Sequence, residues 1–367
     1  MSKPPVREIT VELGPRSYAI RIGVGVLDQI GDALRTLCPA PTAAVITDEN
    51  VGPLYADRVL ASLRQAGFKT HGVTVPAGDA SKSLHQAAKL YDEMALAKIE
   101  RKSPIVALGG GMVGDLTGFV AATWLRGVPF VQCPTTIEAD VDASVGGKTA
   151  VNHPAGKNLI GAFYQPRLVL MDIHTLDTLD DRDFHAGLAE SIKHGAIRDA
   201  AFLDWHEANA DAILAKHPAV LAELLERNVR IKADVVAADE REAGLRAILN
   251  FGHTIGHAVE QLMHYEWRHG EAVAVGIAAA AHIAARRNIM SSADAERLIA
   301  ILRRFGLPTA VPGHLSSDDI VTLTRRDKKV AGGKVRFVLV PRFGETTFRD
   351  DITEDDIRAA VEATRAE

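Results

Sequence analysis

Apolar and polar positions follow two different periods along the chain. Residues 43–47 form a short β-branched run ending at Asp48, and residues 55–66 then carry Leu60 and Leu63 at helical spacing before Gly67. That predicts a strand followed by a helix. A second strand over 70–75, a helix over 84–97 and a third strand over 105–108 continue the alternation, as expected for a mostly parallel sheet covered by helices. Residues 9–22 alternate apolar with polar and predict an antiparallel hairpin. From about residue 180 the period turns helical, and 184–197, 202–215, 220–237, 253–263, 272–287 and 293–305 each predict a helix. A late hairpin is expected at 335–340 and 345–348. The Asp- and Thr-rich stretch 171–183 is the expected boundary, giving an α/β domain over 1–178 and a helical domain over 179–367.

Composition narrows the function. The chain has 367 residues, 47% of them apolar, and 42 Lys plus Arg against 47 Asp plus Glu leave a net charge of −5. That gives no overall basic field for nucleic acid or an anionic membrane. The first residues lack the apolar core of a signal peptide, and the longest apolar run, 272–285, falls short of the ~20 residues that span a bilayer; a cytoplasmic protein is expected. Cys38 and Cys133 are the only two cysteines and lack CxxC spacing, so both are expected to be small core residues.

Gly109, Gly111 and Gly114 satisfy GxGxxG between a strand and a helix, the context in which backbone N–H groups receive a pyrophosphate. The next strand, 130–133, ends in Pro134-Thr135-Thr136 and not in the carboxylate that would hold an adenine ribose. Asp48, followed by Asn50, is the better ribose candidate, with Gly78, Asp79 and Lys82 supplying further contacts. Three segments then set isolated cations among glycines: Arg126-Gly127, Gly146-Gly147-Lys148 and Gly156-Lys157-Asn158. Glycine lets backbone approach a ligand while the cation supplies charge for phosphate or carboxylate, which suggests a small anionic substrate. Gly147-Lys148-Thr149 resembles the end of a P-loop, but Asp142 and Ala143 occupy the positions where Walker A needs its first glycine, so ATP binding is rejected.

In the helical half, His253 and His257 stand at i and i+4 and could chelate Zn²⁺. His269 opens the next helix, and Glu190 lies amid apolar neighbours with Lys193 one turn later. A carboxylate with imidazoles makes a metal set with open positions. Arg246 and Asn250 share helical phase with this group, and Lys232 offers another ammonium. The residues by themselves indicate an enzyme that binds a dinucleotide, a divalent metal and a small polyanion.

The same motifs, in order, resemble 3-dehydroquinate synthase: 109–115, Arg126-Gly127, Pro134-Thr135-Thr136, 142–148, 156–163, 189–193, 246–257, 269–273 and Asp327-Lys328-Lys329. The resemblance implies a Rossmann-like NAD-binding domain, an all-α metal-binding domain and an active site in the cleft between them. It assigns the metal, Zn²⁺ or Co²⁺, to Glu190, His253 and His269, and turns His257 into a substrate or proton-transfer residue, replacing the i, i+4 chelate. Arg126, Lys148, Asn158, Lys193, Lys232, Arg246, Asn250 and one of Lys328 or Lys329 would hold substrate, with Arg126, Lys148, Asn158, Lys193 and His257 as the catalytic set. Asp48, Asn50, Gly78, Asp79, Lys82, Gly111, Met112, Val113, Gly114, Asp115, Thr135, Thr136, Lys148, Lys157, Thr175, Leu176, Asp177 and Thr178 would face NAD, and Asp142 the nicotinamide.

Three departures stand out: Asp79 where Glu is usual, Ile137-Glu138-Ala139-Asp140 where Leu-Leu-Ala-Gln is common, and His194 where Tyr is frequent. The implied reaction converts 3-deoxy-D-arabino-heptulosonate 7-phosphate to 3-dehydroquinate and phosphate, in the shikimate pathway, by transient oxidation, phosphate elimination, re-reduction and an intramolecular aldol step. Alternatives are an aminodehydroquinate synthase-like cyclase and a metal-dependent polyol dehydrogenase. A homodimer is expected.

Overall fold

Strands with no polar face dictate the core of the first unit. A computed structural model of the chain describes residues 5–326, 330–331 and 334–365. In chain order the first unit contains β1 (Arg7–Val11), β2 (Tyr18–Gly23), α1 (Ile30–Leu37), β3 (Thr42–Asp48), α2 (Gly52–Gln65), β4 (Lys69–Val75), α3 (Leu84–Leu96), β5 (Ile105–Gly109), α4 (Gly111–Thr123), β6 (Phe130–Pro134), β7 (Lys148–His153), β8 (Gly156–Phe163) and β9 (Leu168–Asp172). Seven of the strands form one sheet in the order β1-β2-β9-β6-β5-β3-β4. The β1–β2 pair is antiparallel and every other pairing is parallel. Every residue of β5, β6 and β9 is buried, as required of parallel strands covered on both faces.

Side chains of β5 alternate between two cores. Ile105 and Ala107 pack with α3 and α4 residues such as Leu90, Met94, Leu116 and Val120, while Val106 and Leu108 pack with Ile30, Leu34, Val59 and Leu63 of α1 and α2. The chain leaves β3 for β4 on one side and returns to β5 on the other. This reversal puts a topological switch point at the carboxyl ends of β3 and β5, where open α/β sheets bind ligands. Asp48 and Gly109 end those two strands.

The β7–β8 hairpin was not expected from the sequence, because its glycines and cations hide the period of two. It lies against α4, where a Cβ on Gly118 would come within 2.3 Å of Thr149 Cγ2.

The second unit contains α5 (Asp181–Arg198), α6 (Ala200–Leu214), then, after α7 (Pro218–Ala238), α8 (His253–Leu262), α9 (His269–Arg286), α10 (Ser292–Arg304), α11 (Ser317–Arg326), the short strands β10 (Val330–Ala331), β11 (Lys334–Val335), β12 (Phe337–Leu339) and β13 (Thr347–Arg349), and α12 (Glu354–Arg365). The expected late hairpin is β12–β13. The single expected boundary at 178/179 is corrected: the units are Met1–Leu179 with Pro218–Arg241, and Asp180–His217 with Glu242–Glu367. Helix α7 belongs with the sheet, where Arg7 pairs with Glu226 and Arg16 with Glu240; helical periodicity alone does not reveal which unit a helix covers. Lys328 and Lys329 lie outside the described residues.

Helix α9 is the axis of the second unit, buried at nearly every position from Gly270 to Ala284. Its neighbours come close enough to touch backbone. A Cβ on Gly270 would lie 1.8 Å from the Ala186 carbonyl oxygen of α5, and one on Gly276 would lie 1.9 Å from the Gly252 carbonyl oxygen at the start of α8. Neither contact can be relieved by a side chain turning away. Gly276→Ala is therefore expected to lower stability by ~1–3 kcal/mol or more, read as a reduced denaturant midpoint; an unchanged midpoint would show that α8 and α9 can separate without cost.

Candidate active site

In the sheet unit, helix α4 starts at the switch point with Gly110 as its N-cap and no side-chain cap. The N–H of Gly114 is returned to the Gly110 carbonyl, so the amides of Gly111, Met112 and Val113 form the open first turn. A Cβ on Gly114 would meet Gln132 Oε1 at 2.6 Å, which explains why this helix can sit directly on β6. Thr135 donates its N–H to the Gly109 carbonyl, and its buried Oγ1 has no hydrogen-bond partner. An uncapped helix start beside an orphaned buried hydroxyl suits an anionic ligand. Thr136 is turned differently, its Oγ1 accepting from Ala139 N–H at 3.2 Å at the start of the π-turn Ala139–Ala143.

The expected cofactor carboxylates and cations largely meet one another. Asp48 Oδ1 accepts the N–H groups of Asn50 and Val51, both at 2.9 Å, and so shapes the turn into α2; Asn50 is exposed. Lys82 Nζ lies 2.5 Å from Asp115 Oδ2. Burial pushes the Asp115 carboxyl up, and the Lys82 ammonium opposes that shift. Asp79, in the turn Asp79–Ser81 after Gly78, accepts from Asn152 Nδ2 at 2.9 Å and lies 3.5 Å from Lys157 Nζ. Lys232 on α7 pairs with Asp142 in the π-turn. Thr175 donates to the Asp172 carbonyl at 2.8 Å, and Thr178 shares a 2.6 Å hydrogen bond with Tyr55, which fastens the segment containing Leu176 and Asp177.

Asn152 was missed in the sequence. Its N–H donates to the Lys82 carbonyl, its Nδ2 to Asp79, and its Oδ1 accepts from Asn158 N–H at 3.0 Å. Asn158 has φ +55° and Arg126 φ +69°, conformations that non-glycine residues rarely adopt. Arg126, Lys148 and Asn158 are exposed.

In the helical unit, Asp180 caps α5 and the backbone contacts of Gly270 and Gly276 bring α5, α8 and α9 together. Ser191, beside Glu190, donates to His206 Nε2 at 2.6 Å, and His206 Nδ1–H donates to the Phe202 carbonyl at 2.7 Å, which pins α5 on α6. Glu190 is fully buried, pairs with Lys193, and places Oε1 3.5 Å from His253 Nε2 and 3.6 Å from His269 Nε2. Burial opposes its ionisation, but the Lys193 ammonium and the two imidazoles outweigh it and hold the carboxyl well below its usual range. Burial, reinforced by Lys193, pushes the His253 imidazolium toward the neutral form. His253 Nδ1–H donates to the Phe251 carbonyl at 3.1 Å, which leaves the Nε2 lone pair toward Glu190.

Donors on a tetrahedral ion with bonds of 2.0–2.1 Å lie about 3.3 Å apart, so the two Oε1 separations match a shared ion to within a few tenths of an ångström. Nitrogens of His253, His257 and His269 also fall within 4.8 Å of one another, so the i, i+4 pair is close without Glu190. Arg246 is buried in the turn Leu245–Asn250, and Asn250 donates to Glu242 Oε1 at 2.8 Å.

Fold and site together define an α/β-plus-helical enzyme class in which an open parallel sheet offers an anion-accepting helix start and a separate helical unit offers a carboxylate–imidazole cluster. The chain belongs to the 3-dehydroquinate synthase family: the N-terminal family model matches residues 72–186 and the C-terminal one residues 187–330. The 3-dehydroquinate synthase of Symbiobacterium thermophilum is 51% identical over 357 residues, which cover 97% of this chain and 100% of the relative. Among solved structures, 2-epi-5-epi-valiolone synthase from Streptomyces hygroscopicus, with NAD⁺ and Zn²⁺ bound, is 26% identical with a TM-score of 0.88, covering 99% of each chain. 2-Deoxy-scyllo-inosose synthase, complexed with carbaglucose-6-phosphate, NAD⁺ and Co²⁺, is 25% identical with a TM-score of 0.89, covering 98% of this chain and 100% of that one.

The Glu190–Lys193 pair yields a test of the electrostatics. Removing one member of a buried pair leaves an uncompensated charge and costs about 3–5 kcal/mol. With a chelator present, Lys193→Ala is expected to lose stability of that order in denaturant unfolding, and Lys193→Ala with Glu190→Gln to recover most of it. Equal losses in both variants would show that Lys193 acts by packing.

Proposed function

We propose that the chain is a 3-dehydroquinate synthase, converting 3-deoxy-D-arabino-heptulosonate 7-phosphate to 3-dehydroquinate and phosphate with NAD and one divalent metal ion. The observation that carries this reading is identity of 51% across 97% of the chain with a protein of that name; identity to cyclases that make other carbocycles falls to 26 and 25%. NAD, when bound, supplies a reversible hydride acceptor, and the divalent ion polarises an alcohol oxygen.

This chain's own groups account for the rest. In the sheet unit, the open amides of Gly111, Met112 and Val113 and the Thr135 hydroxyl suit the dinucleotide's pyrophosphate, and the Lys82–Asp115 and Asp79–Asn152–Lys157 contacts fix the surrounding turns. Arg126, Lys148 and Asn158, held on hairpin and turn positions, supply charge and hydrogen bonds for phosphate and carboxylate. In the helical unit, Glu190, His253 and His269 hold the ion, His257 on α8 moves a proton, and Arg246, Asn250 and Lys193 hold substrate oxygens. Cations that hold the substrate's phosphate and carboxylate restrict the conformers of a flexible ring-opened intermediate, so that cyclisation outruns side reactions. A homodimer and a cytoplasmic location belong to this reading through the family resemblance.

The reaction is tested by following phosphate and NADH absorbance together with the purified protein. One phosphate per substrate with no net NADH is expected, because the hydride removed before elimination is returned after it. NADH accumulating in step with product would replace the cyclase reading by that of a dehydrogenase.

The ion set is tested by metal analysis of purified variants. Loss of a ligand strips most of the affinity, whereas a neighbouring acid–base residue is dispensable for the ion. Glu190→Ala and His269→Ala are expected to be metal-depleted, and His257→Ala to keep near-stoichiometric metal while losing turnover. Depletion in His257→Ala with retention in His269→Ala would restore the i, i+4 chelate.

A further inference from the structure

His269 stands at the first position of α9. Its Nδ1 lies 3.2 Å from Oε2 of Glu260, a residue on α8 that is 5% exposed. An ionised carboxylate can only accept, so this hydrogen bond requires the proton on Nδ1 and leaves the lone pair on Nε2. That is the nitrogen 3.6 Å from Glu190 Oε1. The arrangement parallels His253, whose Nδ1–H goes to the Phe251 carbonyl and whose Nε2 faces the same oxygen. His269 differs in that its acceptor carries a charge, and in being 27% exposed at the side chain where His253 is 11%. The more exposed imidazole thus has the charged acceptor. Glu260 is seven residues after His253, on the same face of α8.

We infer that Glu260 is a positioning residue for the divalent ion, holding His269 through Nδ1 so that Nε2 is presented as a ligand. The inference rests on the reading that Glu190, His253 and His269 hold the ion. A carboxylate behind a ligating imidazole orients the ring and raises the basicity of the distal nitrogen, and its loss typically weakens metal affinity about 10–100-fold. Glu260 needs no contact with substrate or ion for this effect.

The test is the affinity for Zn²⁺, measured on full-length protein stripped with a chelator and titrated in competition with a chromophoric one, alongside NAD binding and the melting temperature of the metal-free form. Glu260→Ala is expected to raise the Zn²⁺ Kd about 10–100-fold with NAD affinity unchanged. Glu260→Gln, which keeps an acceptor and loses the charge, is expected to raise it by a smaller but measurable factor, and decides the matter if the alanine variant does not fold. A Zn²⁺ Kd within twofold of the wild type in the folded variants, whatever happens to the melting temperature, would reduce Glu260 to a structural contact and overturn the proposal. Glu190→Ala and His269→Ala are titrated in the same series. If they lose the ion while the Glu260 variants keep it, only the Glu260 proposal fails; if they bind as tightly as wild type, the ligand reading fails and the proposal falls with it.

Discussion

A carboxylate sealed from water at Glu190 must have positive charge or donors brought to it, since an unbalanced buried charge costs several kcal/mol. The helical unit is arranged around meeting that demand. Lys193 comes from one turn further along α5, His253 from the start of α8 and His269 from the start of α9. These three helix segments can converge only where backbone meets backbone, which is where Gly270 and Gly276 stand. The alanine-rich sequence of α9 follows from the same constraint: a helix buried on all sides between α5, α8, α10 and α12 has room for little more than methyl groups. The polar groups around Glu190 and the glycines that let the helices meet thus answer to one buried charge.

In the sheet unit, charge is balanced locally and the balance sets the loops. Lys82 with Asp115 joins the turn after β4 to α4, Lys157 with Asp79 joins the β7–β8 hairpin to that turn, and Lys232 with Asp142 joins α7 to the π-turn. Each pair unites residues expected separately to face a ligand. Fixed in this way, the groups lose little further freedom when a polyanion arrives, which is the physical content of preorganisation. Asn152 has no charge of its own and ties the β7–β8 hairpin to the turn after β4 through backbone and amide.

What the sequence made legible follows from the range of the interactions. The parallel sheet was readable because β3 and β5 are short, largely apolar runs between helical periods, and that pattern is local. The anion-accepting start of α4 was readable from strand, glycines and helix in succession. The β7–β8 hairpin was obscured by Gly156, Lys157 and Asn158, whose conformations serve turn geometry and exposed chemistry over sheet packing. Helix α7 carries a periodicity that fits either unit, and only tertiary packing against β1 and β2 assigns it. The carboxylate–imidazole cluster shows the limit most clearly. Spacing on α8 selects His253 and His257; Glu190 and His269 could be named as candidates from their settings, but the resemblance was needed to rank them above His257, and they reach His253 because α5 and α9 pack there. Glu260 was within reach of sequence reasoning, on the His253 face of α8, but a lone glutamate near a helix end reads as solvated until the structure buries it.

The departures from the family pattern also become intelligible as charge balance. Asp140 replaces a common glutamine in the π-turn that carries Asp142, and it is buried with Oδ1 lacking a hydrogen-bond partner. A second ionised carboxylate in that turn would be costly beside the Lys232–Asp142 pair. Burial, reinforced by the charge of Asp172, instead pushes the Asp140 carboxyl well above its usual range and favours the neutral acid. A protonated Asp resembles the side-chain amide it replaces in carrying one acceptor, donor hydrogen and no net charge. In that form the substitution is conservative in charge although the residue names suggest otherwise, and Asp142 is the residue of the turn that pairs with Lys232.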